Sequence, residues 1–185
     1  LTSLFYNDKG NKLNLCYVLE MDKDMREIFG SIAGGAAYKF GLFFHKKTQS
    51  WTCGSPAKPV KLTENEAIQK AEEIRNDLVA GAEIISSFGP LNSTADYEQL
   101  YKQLEHISGI NTVWRMKYYH LLFPTLLAPF YEQDIQLKVL HFLKQNPSSI
   151  PFIRMGQIAL FIKKCNIPGI VFGHIWGKYA NDANT

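Results

Sequence analysis

The stretch TENEAIQKAEEIRNDLVAGAEIIS, residues 63–86, separates a strand-rich part of the chain from a helix-rich part. It begins with a capping box, because the Thr63 hydroxyl can accept a hydrogen bond from the Glu66 amide while the Glu66 carboxylate reaches back. Apolar residues then recur at helical spacing on one face: Ala67, Ala71, Ile74, Leu78, Ala82 and Ile85. This pattern predicts one long amphipathic helix over 63–86, which ends at the FGP sequence of residues 88–90.

The segments before this helix are typical of strands, and those after it are typical of helices. Residues 15–21 and 38–45 are rich in strand formers with alternating faces, and 51–53 predicts a short third strand. Residues 54–61 contain Pro56 and Pro59 and predict a connector. Apolar periodicity predicts helices over residues 94–107, 112–122, 131–144 and 151–164, and a short apolar segment over 167–179.

Strands followed by helices indicate an α+β fold rather than alternating βαβ units. We expect a small N-terminal antiparallel sheet with a long capped helix, followed by a helical subdomain. The predicted organisation is residues 1–90 for the sheet and acidic helix, 91–180 for the helical subdomain packed on it, and 181–185 for a frayed tail. The length of 185 residues is compatible with this arrangement.

Composition narrows the class of protein. Apolar residues make up 46% of the chain, which excludes an intrinsically disordered protein. Three widely spaced cysteines argue against a disulfide framework and for a reducing compartment. The chain has no run of 18 apolar residues and no signal-peptide pattern, so we expect a cytoplasmic protein without a membrane partner. Because Leu1 is not Met, we expect a domain of a longer protein.

Charge is distributed unevenly along the chain. The net charge of +3 is the sum of +4 over residues 1–62, −6 over 63–106 and +5 over 107–185. Residues 30–62 contain five lysines and no Asp or Glu. Such a stretch can bind a polyanion by neutralising phosphates, and it can equally be a solvated face.

Motifs for catalysis and for cofactor or metal binding are missing from the sequence. It contains no CxxC, HExxH, GxSxG, GxGxxG or Walker A pattern. We therefore expect no catalytic residue, no metal site and no cofactor in this domain. An enzyme would remain an alternative if His45, Cys53 or His120 converged in a deep pocket.

Basic and aromatic residues alternate in two places, as they do in nucleic-acid-binding surfaces. The first place carries Tyr38, Lys39, Lys46, Lys47 and Trp51, and the second carries Arg115 and Lys117 within WRMKYYH. The alternative for the aromatic residues is core packing, and the alternative for the cations is a solvated face. Gly34 and Gly35 form either a tight turn or a backbone surface that a phosphate can approach.

Several of these stretches resemble regions that precede the motor of McrB-like restriction ATPases. The resemblance is clearest for LCYVLE at 15–20, GSIAGGAAYKFGL at 30–42 and VWRMKYYHLLFP at 113–124. It continues through Trp51, LTENEAI at 62–68 and IRNDLVAGA at 74–82. Ala36 and Ala37 stand where the family pattern has two serines.

The resemblance implies an N-terminal target-recognition domain that binds double-stranded DNA, at a modified base or a fixed site. It implies an AAA+ motor domain in the same chain and, indirectly, an McrC-like nuclease subunit as partner. In this interpretation the domain has no catalytic role of its own. The DNA-binding residues would be Gly34, Gly35, Tyr38, Lys39, Lys46, Lys47, Trp51, Arg115 and Lys117. A non-catalytic protein–protein assembly module, docking through the acidic helix and the basic segments, is the alternative.

Overall fold

The structure is a computed structural model that describes residues 40–45, 47–55 and 58–182. Three strands precede six helices in these residues, which confirms the α+β fold. The strands are β1 (Leu42–His45), β2 (Ser50–Ser55) and β3 (Lys58–Leu62). The helices are α1 (Glu64–Ser87), α2 (Thr94–Leu104), α3 (Val113–Leu122), α4 (Gln133–Phe142), α5 (Pro151–Cys165) and α6 (Gly169–Asp182).

The three strands form an antiparallel sheet in the order β1-β2-β3. In the described residues β1 begins at Leu42, directly after Gly41, whose φ of 81° lies outside the β region of the backbone; residues 38 and 39 of the predicted strand lie outside the described part of the chain. Strand β3 corrects the prediction of a connector over 54–61. Its Pro59 is tolerated because β3 lies at the edge of the described sheet, where an amide is not needed for a further ladder. The strand predicted over 15–21 lies outside the described residues.

Helix α1 begins with the capping box that the sequence predicts. The Thr63 amide donates to the Glu66 carboxylate at 2.7 Å, and the Glu66 amide donates to the Thr63 hydroxyl at 3.3 Å. The Thr63 amide and, as the smaller cause, the Thr63 hydroxyl, which donates to the same carboxylate at 2.8 Å, hold the pKa of the Glu66 carboxyl below its usual value. The predicted apolar face is buried at Ala67, Ile74 and Ile85.

The chain divides into two compact units, residues 1–79 and 80–185. The division falls inside α1, whereas the predicted boundary at residue 90 lies in the loop after that helix. Helix α6 continues to Asp182, which is two residues into the segment predicted to be frayed. Helices α2 and α4 end at Leu104 and Phe142, somewhat before their predicted ends.

Helix α5 is the central helix of the second unit. Every residue from Pro151 to Ala159 is buried, and the helix packs against both α2 and α4. A helix that is apolar on all sides must be covered on all sides. The buried Arg154 is accommodated by hydrogen bonds to neutral oxygens, including the Gln136 side chain at 3.0 Å and the Ser148 carbonyl at 3.0 Å. Desolvation lowers the pKa of this guanidinium.

None of the described helices is by itself long and apolar enough to cross a membrane. Helices α5 and α6 satisfy the length and composition criteria only as a pair, and a bend of 103° separates them.

Candidate nucleic-acid interface

Five of the nine predicted DNA-binding residues lie outside the described residues: Gly34, Gly35, Tyr38, Lys39 and Lys46. The other four are Lys47 and Trp51 in the first unit, and Arg115 and Lys117 in the second. Only Lys47 among these four is exposed. The described surface therefore offers one of the predicted phosphate-binding side chains, and it lies in the turn between β1 and β2.

Side-chain hydrogen bonds organise this turn. The Thr48 amide donates to Nδ1 of His45 at 3.2 Å and to the His45 carbonyl at 3.2 Å. The Thr48 hydroxyl also lies 2.8 Å from the Ser50 hydroxyl. Gln49 adopts a φ of 47°, the left-handed conformation that reverses the chain before β2. A turn held in this way presents the Lys47 side chain to solvent at the end of the sheet.

Lys61 adds a second exposed cation toward the same end of the sheet. It pairs with Thr52, which pairs in turn with Phe43, so its position lies close to the β1–β2 turn. Lys58 is also exposed but pairs with Ser55, at the opposite end of β3. The sequence indicated Lys58 and Lys61 through the acid-free stretch, but the predicted set did not include them. Exposed lysines at the edge of the described sheet also discourage pairing with other chains.

Trp51 does not lie on the exposed surface. Its side chain is 9% exposed, and its ring meets Phe44 edge to face with the centroids 5.3 Å apart. Stacking of an extruded base on Trp51 would require the ring to leave this contact. Trp51 is therefore packed in the core, which was the alternative interpretation of the aromatic residues.

Arg115 and Lys117 are buried, at 4% and 3% exposure, so the expectation that they extend an exposed positive face was wrong. Helix α3 is covered on nearly every side, because Trp114, Met116 and Tyr119 are buried with them. The Arg115 guanidinium lies 5.0 Å from the centroid of the Trp114 ring, a cation–π distance. These cations belong to the interior of the second unit, and a DNA contact through them remains only a prediction.

His120 is a further buried polar residue of α3. Its Nδ1 lies within hydrogen-bonding distance of the Leu127 carbonyl, at 2.6 Å, so this nitrogen carries the proton. Burial lowers the pKa of the imidazole, and the charge of Lys117 lowers it further, against the opposing hydrogen bond to Leu127. The ring is therefore neutral near pH 7 and fixes the chain after α3. His120 is 4% exposed, so its ring is packed inside the second unit.

A second acid-free segment with exposed lysines was missed by the prediction. Residues 135–181 contain no Asp or Glu, and their five lysines are exposed: Lys138, Lys144, Lys163, Lys164 and Lys178. Lys163 donates from Nζ to the Asn92 side chain at 2.8 Å. As in residues 30–62, the sequence feature that indicates these lysines is the absence of Asp and Glu. The predicted site did not include them because the apolar periodicity of the same residues indicates core helices.

Other chemistries have little support in the described part of the chain. No group of three or more His, Cys, Asp or Glu side chains comes together there as metal ligands do. Cys53 and Cys165 are free thiols. Comparisons with protein-family models, with curated proteins and with solved structures gave no match.

Proposed function

We propose that this chain is a double-stranded DNA-binding domain. It binds the phosphate backbone through the end of its sheet that carries the turn between β1 and β2. The observation that carries the proposal is the exposure of Lys47 and Lys61 toward one end of the sheet, within a stretch of 33 residues that has five lysines and no acid. Lysines without neighbouring carboxylates keep their charge available for phosphates.

A turn is a suitable element for this role. The hydrogen bonds among His45, Thr48 and Ser50 hold the backbone, so little conformational entropy is lost there when a phosphate binds. Gln49 is exposed in the same turn and carries a side-chain amide, a type of donor that contacts phosphate oxygens. Lys46 precedes Lys47 in sequence and would join the same contact. The chain would bind and position DNA without making or breaking a bond.

The resemblance to McrB-like proteins supports a role for this DNA binding in a restriction system. It implies that the domain delivers a motor in the same chain, and through it a nuclease subunit, to target DNA in the cytoplasm. If the target contains a modified base, Tyr38 is the aromatic residue left to stack on it, since Trp51 is packed against Phe44.

Fluorescence anisotropy with labelled duplexes, at several salt concentrations, tests the proposal. The double variant Lys47→Ala/Lys61→Ala should bind more weakly, and the slope of log K against log salt should fall by about 0.9 for each phosphate that the variant no longer neutralises. Lys70→Ala is the matched control, because Lys70 is paired with Glu73 on the acidic helix. An unchanged affinity in the double variant, with the fold intact, would reject this site.

The same measurement with unmodified and 5-methylcytosine duplexes addresses the target. Different affinities for the two duplexes would identify a reader of modification. Equal affinities that both fall with added salt would identify binding to the phosphate backbone that does not distinguish the modified base. A wild-type chain that binds neither duplex at low salt would refute the proposed function, because even non-specific binders register under that condition.

A further inference from the structure

Three cavities adjoin along the C-terminal half of α5, and one lysine lines all of them. Their volumes are about 550, 370 and 250 Å³, and Lys163 contributes to the wall of each. The Nζ of Lys163 donates to Oδ1 of Asn92 at 2.8 Å, which gives this amine a defined position in the walls. The largest of the three is called the α5 cavity, and its polar wall consists of Asn92, Gln145, Lys163 and Lys164.

The polar wall of the α5 cavity offers hydrogen-bond donors in excess of acceptors. Each of its two ammonium groups carries three N–H donors, and each of its two side-chain amides carries two. The Asn92 oxygen already accepts from Lys163. In the described part of the chain, the side chains of Lys164 and Gln145 have no hydrogen-bond partner. A ligand that satisfies this wall accepts hydrogen bonds and carries negative charge.

The wall of the α5 cavity has a positive charge. None of the described residues that line it is Asp or Glu. A carboxylate close to Asn92 belongs to Asp96, and it accepts from the backbone amides of Asn92 and Ser93 at 2.9 and 2.8 Å. This carboxylate forms no ion pair with either lysine of the described wall. Two ammonium groups therefore face one carboxylate that backbone amides already bind, and the excess charge is positive.

The remainder of the wall of the α5 cavity is apolar. It consists of Leu143, Leu160 and Phe161. The Phe161 ring is half-buried and packs on Phe172 with the centroids 5.9 Å apart, so its position is set by the core. An inorganic anion needs no such surface, whereas the organic part of a ligand does. The volume of about 550 Å³ also lies within the range of about 300–1,000 Å³ that is usual for small-molecule sites.

We infer that the α5 cavity binds a phosphate ester. The unesterified oxygens of a phosphate only accept hydrogen bonds, and lysine ammonium groups bind them as point charges. The organic group of the ester would lie on the apolar part of the wall. The ester is either a small molecule or a nucleotide of a nucleic-acid strand, and the phosphate is common to both. This inference does not depend on the proposed contact of Lys47 and Lys61, which belong to the first unit.

An NMR titration of the full chain with phenyl phosphate at low salt tests the inference. The backbone amide signals of Asn92, Gln145, Lys163 and Lys164 should shift together as the ester is added. Lys163→Met and Lys164→Met should each weaken binding about fivefold, the upper end for a solvent-exposed ion pair. Lys138→Met is the matched control, because Lys138 is an exposed lysine of α4 that does not line the α5 cavity.

Gln145→Met tests the α5 cavity without a change of charge. It removes a side-chain donor and keeps a side chain of similar length, so it should also weaken the binding of phenyl phosphate. General attraction of an anion to a positively charged surface would leave the affinity of this variant unchanged. Benzoate should bind more weakly than phenyl phosphate, because a carboxylate has two oxygens and carries less charge than a phosphate monoester. An amide spectrum with wild-type dispersion confirms that each variant is folded.

Four results would overturn the inference. The first is the absence of shifts, and the second is shifts spread over exposed lysines without preference for the α5 cavity. The third is an unchanged affinity in Gln145→Met or in both lysine variants of the cavity. The fourth is benzoate binding as tight as that of phenyl phosphate, which would assign the α5 cavity to carboxylates.

A DNA duplex distinguishes the two sources of the phosphate. Duplex that shifts the same four amide signals would identify the ester as part of a nucleic acid, whereas shifts with phenyl phosphate alone would identify a small molecule. Both results support the α5 cavity. The Lys47→Ala/Lys61→Ala variant separates this inference from the proposed function, because its affinity for phenyl phosphate should equal that of the wild type whatever its affinity for the duplex.

Discussion

Gly156 lies on α5 directly against the Tyr97 ring of α2, and replacing it with alanine should destabilise the second unit. A Cβ added there would stand 2.6 Å from Cε1 of Tyr97 and closer still to Cγ and Cδ1. The ring cannot easily retreat, because Tyr97 is 2% exposed and its hydroxyl donates to the Leu126 carbonyl at 2.6 Å. The new methyl group must therefore displace either the ring or the backbone of α5.

Two effects of opposite sign determine the magnitude. Ala is favoured over Gly inside a helix by about 1 kcal/mol. Overpacking of a filled core costs about 1–3 kcal/mol. Even Cε1 of Tyr97 would have to move by 0.8 Å to reach an ordinary contact of 3.4 Å, so we place the cost near the upper end of that range. We expect Gly156→Ala to lower the free energy of unfolding by about 2 kcal/mol.

Urea denaturation of the full chain, followed by far-UV circular dichroism, measures this change. Gly177→Ala is the control, because Gly177 lies in α6 with no atom within 4 Å of the added Cβ. It should raise stability by up to about 1 kcal/mol through helix propensity alone. If Gly156→Ala were as stable as the wild type, with the same dependence on urea, the tight packing of α2 against α5 would be refuted.

Three further substitutions test other parts of the second unit. The pKa of His120 is lowered by folding, so the unfolded chain takes up the proton first, and stability should fall as the pH drops below about 6.5. His120→Asn keeps a donor for the Leu127 carbonyl but cannot titrate, so its melting temperature should fall less between about pH 7.5 and 5.5. Arg154→Met leaves the buried Gln136 oxygen without its donor and should lower the free energy of unfolding by about 3 kcal/mol in a denaturant titration. Ser93→Ala removes the cap of α2, which calorimetry should register as a loss of about 1 kcal/mol. An unchanged pH profile, denaturation midpoint or melting curve would contradict the respective interpretation.

Local patterns predicted most of the secondary structure. The Thr63–Glu66 capping box depends on residues three apart, and it marks the start of α1 in both sequence and structure. Helices α1 to α5 follow the predicted apolar periodicity in the same way, whereas α6 occupies a stretch that was predicted only as a short apolar segment. Strand β3 was missed because Pro59 is typical of connectors, and only the pairing with β2 shows that this residue belongs to a strand at the edge of the described sheet. That information is not local.

The candidate site was harder to predict than the fold, because exposure is a tertiary property. Alternating aromatic and basic residues indicate a nucleic-acid surface only if the side chains reach solvent. Trp51, Arg115 and Lys117 do not reach solvent, although each lies in a stretch where basic and aromatic residues alternate. The predicted site omitted the exposed lysines of residues 135–181 for the converse reason. They lie in or beside apolar helices, and such helices indicate a buried position.

One distinction in the sequence separates the two kinds of cation. Lys47 stands in KKTQS, where no neighbour needs burial, so its exposure follows from the turn itself. Arg115 and Lys117 stand in VWRMKYYHLL, where apolar and aromatic residues occupy every face of the helix. Cations in such a helix are buried because the helix is covered on every face. Replacing Arg115 would therefore disturb packing first, and a weaker DNA affinity in that variant would implicate a contact only if the unfolding midpoint stayed unchanged. The same weakening in Lys47→Ala would report directly on the interface.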